Sequence, residues 1–170
     1  MERFATYSDI PALRHIRKIC FGDDDAYLDR YFSTRFTEHN TLVYLVDNAL
    51  IASLTILDAE VISPERTFSV AYIYAVATLP EFRKKGIAEA LSHHADKVLQ
   101  ERGEKASMLV PSSAALFDYY AKLGYSTKLF VERQAYDELR DLAENADRKL
   151  TFRVVKEGPD AILFGLMKYY

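Results

Sequence analysis

Tyr72-Ile73-Tyr74-Ala75-Val76-Ala77-Thr78-Leu79-Pro80-Glu81-Phe82-Arg83-Lys84-Lys85-Gly86-Ile87-Ala88 is the stretch that decides the fold of this chain. Its first half is an apolar, aromatic run of strand type. Pro80 ends that run, Arg83-Lys84-Lys85 places a basic tripeptide in a short loop, and Gly86 opens a helical pattern. The first N–H groups of a helix have no intrahelical partner, and the helix dipole favours an anion there. Gly86 lets a ligand approach the backbone closely, and arginine grips phosphate through two hydrogen bonds. The stretch reads as strand, anion-holding loop and helix, built for the phosphate of a nucleotide or coenzyme. It is not a Walker loop, because it lacks Gly-Lys-Ser/Thr. The dinucleotide fingerprint needs three glycines where this loop has Gly86 alone. A solvated basic turn is the bland reading of the same residues.

Outward from this stretch the chain reads as an α/β (α+β) fold. Upstream, Ser8 or Asp9 is placed to cap a first helix with Pro11 in its first turn and Ile10, Leu13, Ile16 and Ile19 as its apolar stripe. A second helix pairs Tyr27 with Tyr31, Leu28 with Phe32 and Phe32 with Phe36. Thr41 to Val46, Leu50 to Ile62 and Phe68 to Thr78 read as three strands joined by short turns, most simply an antiparallel meander. Gly86 to Arg102 is the clearest helix, with Ile87, Leu91, Ala95 and Val98 on one face and Gly103 at its end. Ala106 to Val110 is a short strand, so a strand–helix–strand crossover with a parallel pair is expected. Ser112 or Ser113 is placed to cap a helix from Ala114 to Leu123. Thr127 to Arg133, Leu150 to Val155 and Ala161 to Lys168 read as strands, and Tyr136 to Ala146 as an acidic helix.

Composition narrows the classes. With 170 residues, 49% hydrophobic and 28% charged, the chain suits one globular domain with one core. No apolar run reaches the roughly 18 to 20 residues that span a bilayer, and the N-terminus lacks the layout of a signal peptide. One cysteine, Cys20, forms no intrachain disulfide, so the default location is cytoplasmic. A net charge of −3 offers no basic excess for nucleic acid, leaving basic residues in local clusters at Arg83-Lys84-Lys85 and, more loosely, at Arg14, Arg17 and Lys18. No Cys/His cluster has metal-ligand spacing, so no metal is expected.

Val76-x-Thr78-x-Pro80-x-x-Arg83-Lys84-Lys85-Gly86-Ile87-Ala88 resembles the central motif of the GCN5-related N-acetyltransferase (GNAT) superfamily, with Arg83, Gly86 and Ala88 on its signature positions. Downstream, Leu116-Phe117-Asp118-Tyr119-Tyr120-Ala121-Lys122-Leu123-Gly124-Tyr125 is similar to the family's aromatic-Tyr-x-x-x-Gly-aromatic motif. The resemblance covers Ser8 to Tyr125. It implies a mixed, mostly antiparallel central sheet flanked by helices, with the crossover as the coenzyme-binding core. Residues 1–170 are then one acetyltransferase domain, 1–125 bearing the motifs and 126–170 adding strands and the acidic helix. From Met108 to Tyr125 the chain also resembles, more faintly, the acetyltransferase domains of enhanced-intracellular-survival (Eis-like) proteins, whose extra domains it is too short to carry.

The resemblance further implies acetyl-CoA as cosubstrate. Its pyrophosphate would rest on the amides of Arg83, Lys84, Lys85, Gly86, Ile87 and Ala88. Its pantetheine arm would pair with the backbone of Val76, Ala77 and Thr78 like an added strand, and Ser112 and Ser113 would lie near that arm. Tyr120 would donate a proton to the departing thiolate, against the bland reading of a core aromatic. The i, i+4, i+7 stripe of Leu116, Tyr120 and Leu123 turns Tyr120 inward and leaves Asp118 and Lys122 outside. Glu60, Tyr72, Tyr74 and His94 are weak candidates for helping to deprotonate the amine. The function implied is transfer of an acetyl group to a primary amine of a small molecule or protein by direct attack in a ternary complex. The alternative is a non-catalytic acyl-CoA-binding module. The acidic stretch Asp137 to Asp147 is a candidate for covering the acceptor site, for favouring a cationic amine, or for forming a homodimer.

Overall fold

The computed structural model describes residues 1–132, 150–156 and 161–170. The expected helix from Tyr136 to Ala146 lies outside the described residues. Among the described residues, eight strands and four helices run in the order β1 (Glu2–Phe4), α1 (Ile10–Phe21), α2 (Asp25–Thr34), β2 (Thr41–Val46), β3 (Ala49–Ile62), β4 (Thr67–Thr78), α3 (Ile87–Glu101), β5 (Ala106–Leu109), α4 (Ala114–Lys122), β6 (Thr127–Glu132), β7 (Leu150–Arg153) and β8 (Ala161–Tyr169). The chain divides into two compact units, Met1–Leu57 with Ile73–Arg102, and Asp58–Tyr72 with Gly103–Tyr170.

In the first unit β1 pairs antiparallel with β2, and β2 antiparallel with β3, with Thr41 opposite Thr55. The turn between β2 and β3 is carried by Asp47 and Asn48, both at positive φ. That two-residue mirror-image turn suits short polar side chains and the twist of a hairpin. The core of this unit gathers Ala5, Leu13, Tyr31, Phe36, Val43 and Leu45. On α2 Leu28 and Tyr31 are buried, and the expected pair Phe32 and Phe36 meets with ring centroids at 5.5 Å.

The stripe on α1 differs from its sequence reading. Leu13 and Ile16 are buried, but Ile19 is 46% exposed and Arg17 is buried in its place. Steps of three fall short of the 3.6-residue turn, so nine residues after Ile10 the chain has swung about 180° around the axis. Asp9 holds the position before α1 without capping it through its side chain. Its carboxylate instead accepts from Arg3 Nη1 at 2.6 Å and Nη2 at 2.9 Å, and from the Thr6 amide at 2.8 Å. The Arg3 hydrogen bonds, helped by those from Thr6, lower the Asp9 pKa to about 2. The sign follows directly: a lowered carboxylate pKa stabilises the fold above the ordinary value near 4, and that contribution is lost as pH falls towards 2. The gap in melting temperature between the parent and Asp9→Asn should therefore narrow below about pH 4. A gap that stays constant from about pH 6 to about pH 2.5 would refute the assignment.

In the second unit β4 pairs parallel with β5 through Ala71 opposite Ser107 and Tyr72 opposite Met108, the parallel pair expected of the crossover. β8 lies between β5 and β6, antiparallel to both. β7 pairs parallel with the end of β3, from Ala59 opposite Leu150 to Ile62 opposite Arg153. Its core holds Ala59, Val61, Val70, Ala106, Met108, Leu129 and Met167. The sheet is thus mixed and mostly antiparallel, with helices flanking it, as the fold class required.

Candidate acyl-transfer site

The residues singled out from sequence fall in both units, and each group is built locally. In the first unit β4 carries Val76, Ala77 and Thr78, then a short 3-10 turn at Pro80–Phe82 leads to the basic loop and α3. Within β4, Ala75 takes a φ of 51°, uncommon for a residue with a side chain. The register of β4 with β5 ends at Tyr72, before Val76 is reached. Thr78 ends the strand with its carbonyl already engaged: it accepts from Arg83 Nε at 3.0 Å and from the Cys20 thiol at 3.5 Å. Arg83 thereby ties the loop back to the strand. Thr78 Oγ1 is buried and, among the described residues, has no hydrogen-bond partner.

The loop has the shape of an anion nest. Lys84 and Gly86 both take the left-handed conformation, at φ 61° and 75°, and alternation of this kind turns successive N–H groups to one side. A Cβ added at Gly86 would meet nothing within 4 Å, so the space beside it is open. Among the described residues no side chain caps α3, and its first helical bond runs from the Ala90 amide to the Gly86 carbonyl at 2.9 Å. The amides of Ile87, Ala88 and Glu89 are left for an outside acceptor. Arg83, Lys84 and Lys85 are exposed around them, with the Lys85 ammonium over the Phe82 ring at 5.0 Å.

The looser basic cluster does not survive as a positive patch. Arg14 pairs with Asp25 and Asp29, Lys18 with Asp25, and Arg17 with Asp23 at 2.7 Å. Arg17 is 4% exposed and sits among the rings of Tyr31, Tyr74, Tyr27 and Phe21, at 4.2, 5.2, 5.4 and 5.7 Å. Its Nη2 donates to the Tyr74 hydroxyl at 3.1 Å, and the hydroxyls of Tyr27 and Tyr74 bond to each other. Burial works against the Arg17 charge, yet Tyr74, Tyr31 and Asp23 outweigh it and raise the pKa. Burial raises the pKa of Tyr27 and of Tyr31 as well. Sequence reading grouped Arg17 with Arg14 and Lys18 in a loose basic cluster. The available signal was a cation beside Leu13 and Ile16 on the apolar face of α1, with Asp23 to receive it just past Gly22.

In the second unit Tyr120 lies on the inner face of α4, 8% exposed, with Leu123 beside it and Asp118 and Lys122 outside, as the stripe predicted. Its ring meets Tyr119 at 5.1 Å and Tyr125 at 5.9 Å, edge to face. Among the described residues nothing hydrogen-bonds its hydroxyl. Burial, followed by Tyr119, raises its pKa to about 12. Tyr125 is held differently, through the Ser107 hydroxyl at 3.0 Å. Ser112 and Ser113 are exposed ahead of α4. Ser113 occupies the cap position but makes no side-chain cap bond. Of the candidates for deprotonation, His94 is engaged with Glu2 at 3.0 Å, Tyr72 packs on Phe152 at 5.0 Å, and Tyr74 belongs to the Arg17 cluster. Glu60 is half-buried on β3.

An exposed loop with Lys84 and Gly86 left-handed thus opens α3, behind a strand whose pairing with β5 stops at Tyr72. The chain belongs to the GNAT acetyltransferases: the profile described as "Acetyltransferase (GNAT) domain" matches residues 2–127. No curated protein matches the chain significantly in sequence. Among solved structures it is similar to a GCN5-related N-acetyltransferase from Anabaena variabilis, at 25% identity and a TM-score of 0.65, covering 76% of this chain and 33% of that one. It is similar in fold to Eis1 from Mycobacterium abscessus, at 18% identity and TM-score 0.65, covering 78% and 33%. It is also similar in fold to the PaiA N-acetyltransferase from Thermoplasma acidophilum in complex with coenzyme A, at 14% identity and TM-score 0.56, covering 100% and 98%. The chain spans about a third of the length of the first two. No helix among the described residues is long and apolar enough to cross a membrane.

Proposed function

We propose that this chain is an N-acetyltransferase that moves an acetyl group from acetyl-CoA to a primary amine by direct attack in a ternary complex. The observation that carries the proposal is the uncapped start of α3, with Lys84 and Gly86 left-handed and Arg83, Lys84 and Lys85 exposed around free amides. The donor set suits a pyrophosphate: backbone N–H groups, a helix dipole and cations converge where no side chain competes. Acetyl-CoA supplies the acyl thioester when bound. The chain's own part divides in three. Lys84 to Ala88 hold phosphate oxygens, and Arg83 shapes their loop through the Thr78 carbonyl. Val76 to Thr78 offer backbone groups to an extended arm, and the Val76 N–H is suited to steady the acyl oxygen as charge builds on it. The Tyr120 hydroxyl, kept protonated by burial, is suited to give a proton to the departing sulfur.

Thermal denaturation with added nucleotides tests this directly. Coenzyme A at about 100 times its dissociation constant should add roughly 2.7 kcal/mol of stability, with ATP and NAD at the same concentration adding far less. Charge reversal at Lys84 and Lys85 together should weaken the coenzyme's effect by at least tenfold in concentration. Equal stabilisation by ATP or NAD would point to a different phosphate-bearing ligand.

A further inference from the structure

β4 holds one strained residue, and a buried cluster is attached to the residue before it. Ala75 sits at φ 51° inside the strand. Such outliers in residues with a side chain persist only where the surroundings fix them. Beyond Ala75 the chain is anchored at Leu79, whose amide donates to the Ile51 carbonyl at 3.0 Å. Before Ala75 it is anchored at Tyr74, whose hydroxyl accepts from Arg17 Nη2 at 3.1 Å and bonds to the Tyr27 hydroxyl. The Tyr74 ring also lies against Tyr31, with centroids 6.1 Å apart. Arg17 is itself held firmly. Its Nε donates to Asp23 at 2.7 Å, and the rings of Tyr31 and Tyr27 lie 4.2 and 5.4 Å from the guanidinium. Ala75 borders the same narrow gap as Arg17 and Tyr31. A buried ion pair stabilises a fold little more than an apolar filling would, so its presence here calls for a geometric reason.

We propose that Arg17 is a positioning residue: through the Tyr74 hydroxyl it holds the kink at Ala75 that aims the Val76 N–H at the acyl oxygen. The inference rests on the acetyltransferase reading above. The Val76 N–H belongs to the planar peptide unit that follows Ala75, so the dihedrals of Ala75 set its direction. With Tyr74 released, Ala75 relaxes to the extended φ that an alanine prefers, and the N–H turns with it. An N–H donor stabilises developing charge only when it is already aimed at the place where that charge appears. Arg17 acts through Tyr74 and Ala75 and needs no contact with the reacting atoms. The planar guanidinium serves Asp23 and Tyr74 at once from fixed directions. The ammonium of a lysine is a single point on a flexible stem and does not reproduce that fork.

The test follows CoA release from acetyl-CoA with spermidine, with alaninamide and with water alone. It uses the parent, Tyr74→Phe, Arg17→Lys, and each of these variants combined with Ala75→Gly. Melting temperature with and without coenzyme A is recorded for each. Tyr74→Phe keeps the ring and loses the hydroxyl. It should lower kcat about 10- to 100-fold with every acceptor, water included, because the acyl oxygen is common to all. The concentration of coenzyme A needed for stabilisation, and KM for the amines, should stay within about twofold of the parent. Arg17→Lys should show the same pattern. Glycine takes a positive φ without steric cost, so adding Ala75→Gly to Tyr74→Phe should raise kcat again by about fivefold or more. A general loss of packing would not be repaired by a glycine. A kcat for Tyr74→Phe within about threefold of the parent, a loss confined to KM for one amine, or no recovery on adding Ala75→Gly would overturn the positioning role and leave acetyl transfer standing. No CoA release from the parent with either amine or with water would overturn acetyl transfer and the positioning role with it.

Discussion

Tyr120→Phe should lower kcat by about 10² to 10⁴ while the concentration of coenzyme A needed for thermal stabilisation stays unchanged. The substitution removes one hydroxyl and keeps the ring, so the edge-to-face contacts with Tyr119 and Tyr125 survive. No described residue loses a hydrogen bond. A drop in turnover therefore isolates the proton that the hydroxyl would donate. The raised pKa of about 12 sets the pH behaviour. A tyrosine whose folded pKa exceeds its ordinary value near 10 stabilises the fold below about pH 10, and that contribution is lost as pH rises towards 12. The parent should show more alkaline loss of melting temperature in that window than Tyr120→Phe. Turnover within threefold of the parent would leave Tyr120 as a core aromatic, and no turnover of the parent with any amine would favour a binding module over an enzyme.

Gly165→Ala should destabilise the second unit without touching the basic loop. A Cβ at Gly165 would stand 2.5 Å from the Leu109 carbonyl oxygen, a backbone atom. Real Cβ atoms do not approach so closely, and the oxygen is fixed because Leu109 is paired with Leu166 in the same ladder. β8 shifts register beside this point, where Leu129 faces Gly165 and Phe130 faces Leu163. Bulged strands bring backbones close in this way. Overpacking a core of this sort costs about 1–3 kcal/mol, which for a chain of this size lowers the melting temperature by roughly 3–10 °C. The measurement is a melting curve of the full chain; a fall of less than about 1 °C would show that β8 yields freely.

What was legible in the sequence was local. The strand ending at Thr78, the nest at Lys84 and Gly86 and the start of α3 follow from a proline, a basic tripeptide and a glycine close together in the chain, and each acts on its own neighbourhood. Tyr120 was legible because α4 obeys a regular i, i+4, i+7 pattern. Features set by distant partners were not. β1 is three residues long, with Phe4 its one large apolar side chain, too little for a periodicity to register. Gly165 looks like an ordinary strand glycine until Leu109 is laid beside it. Arg17 reads as one of a loose basic cluster because the tyrosines that enclose it lie on separate segments. The swing of the α1 stripe away from Ile19 was calculable, but the apolar spacing by threes hid it.

The aromatic shell around Arg17 has a consequence for competition. Rings gathered about one cation form the kind of box that captures an ammonium ion from solution. Here the occupant is tethered to the same polypeptide, so its effective concentration exceeds anything a dissolved amine reaches. A positively charged acceptor cannot win those rings by attraction alone. The chain has pre-empted its own cation trap with the guanidinium of Arg17.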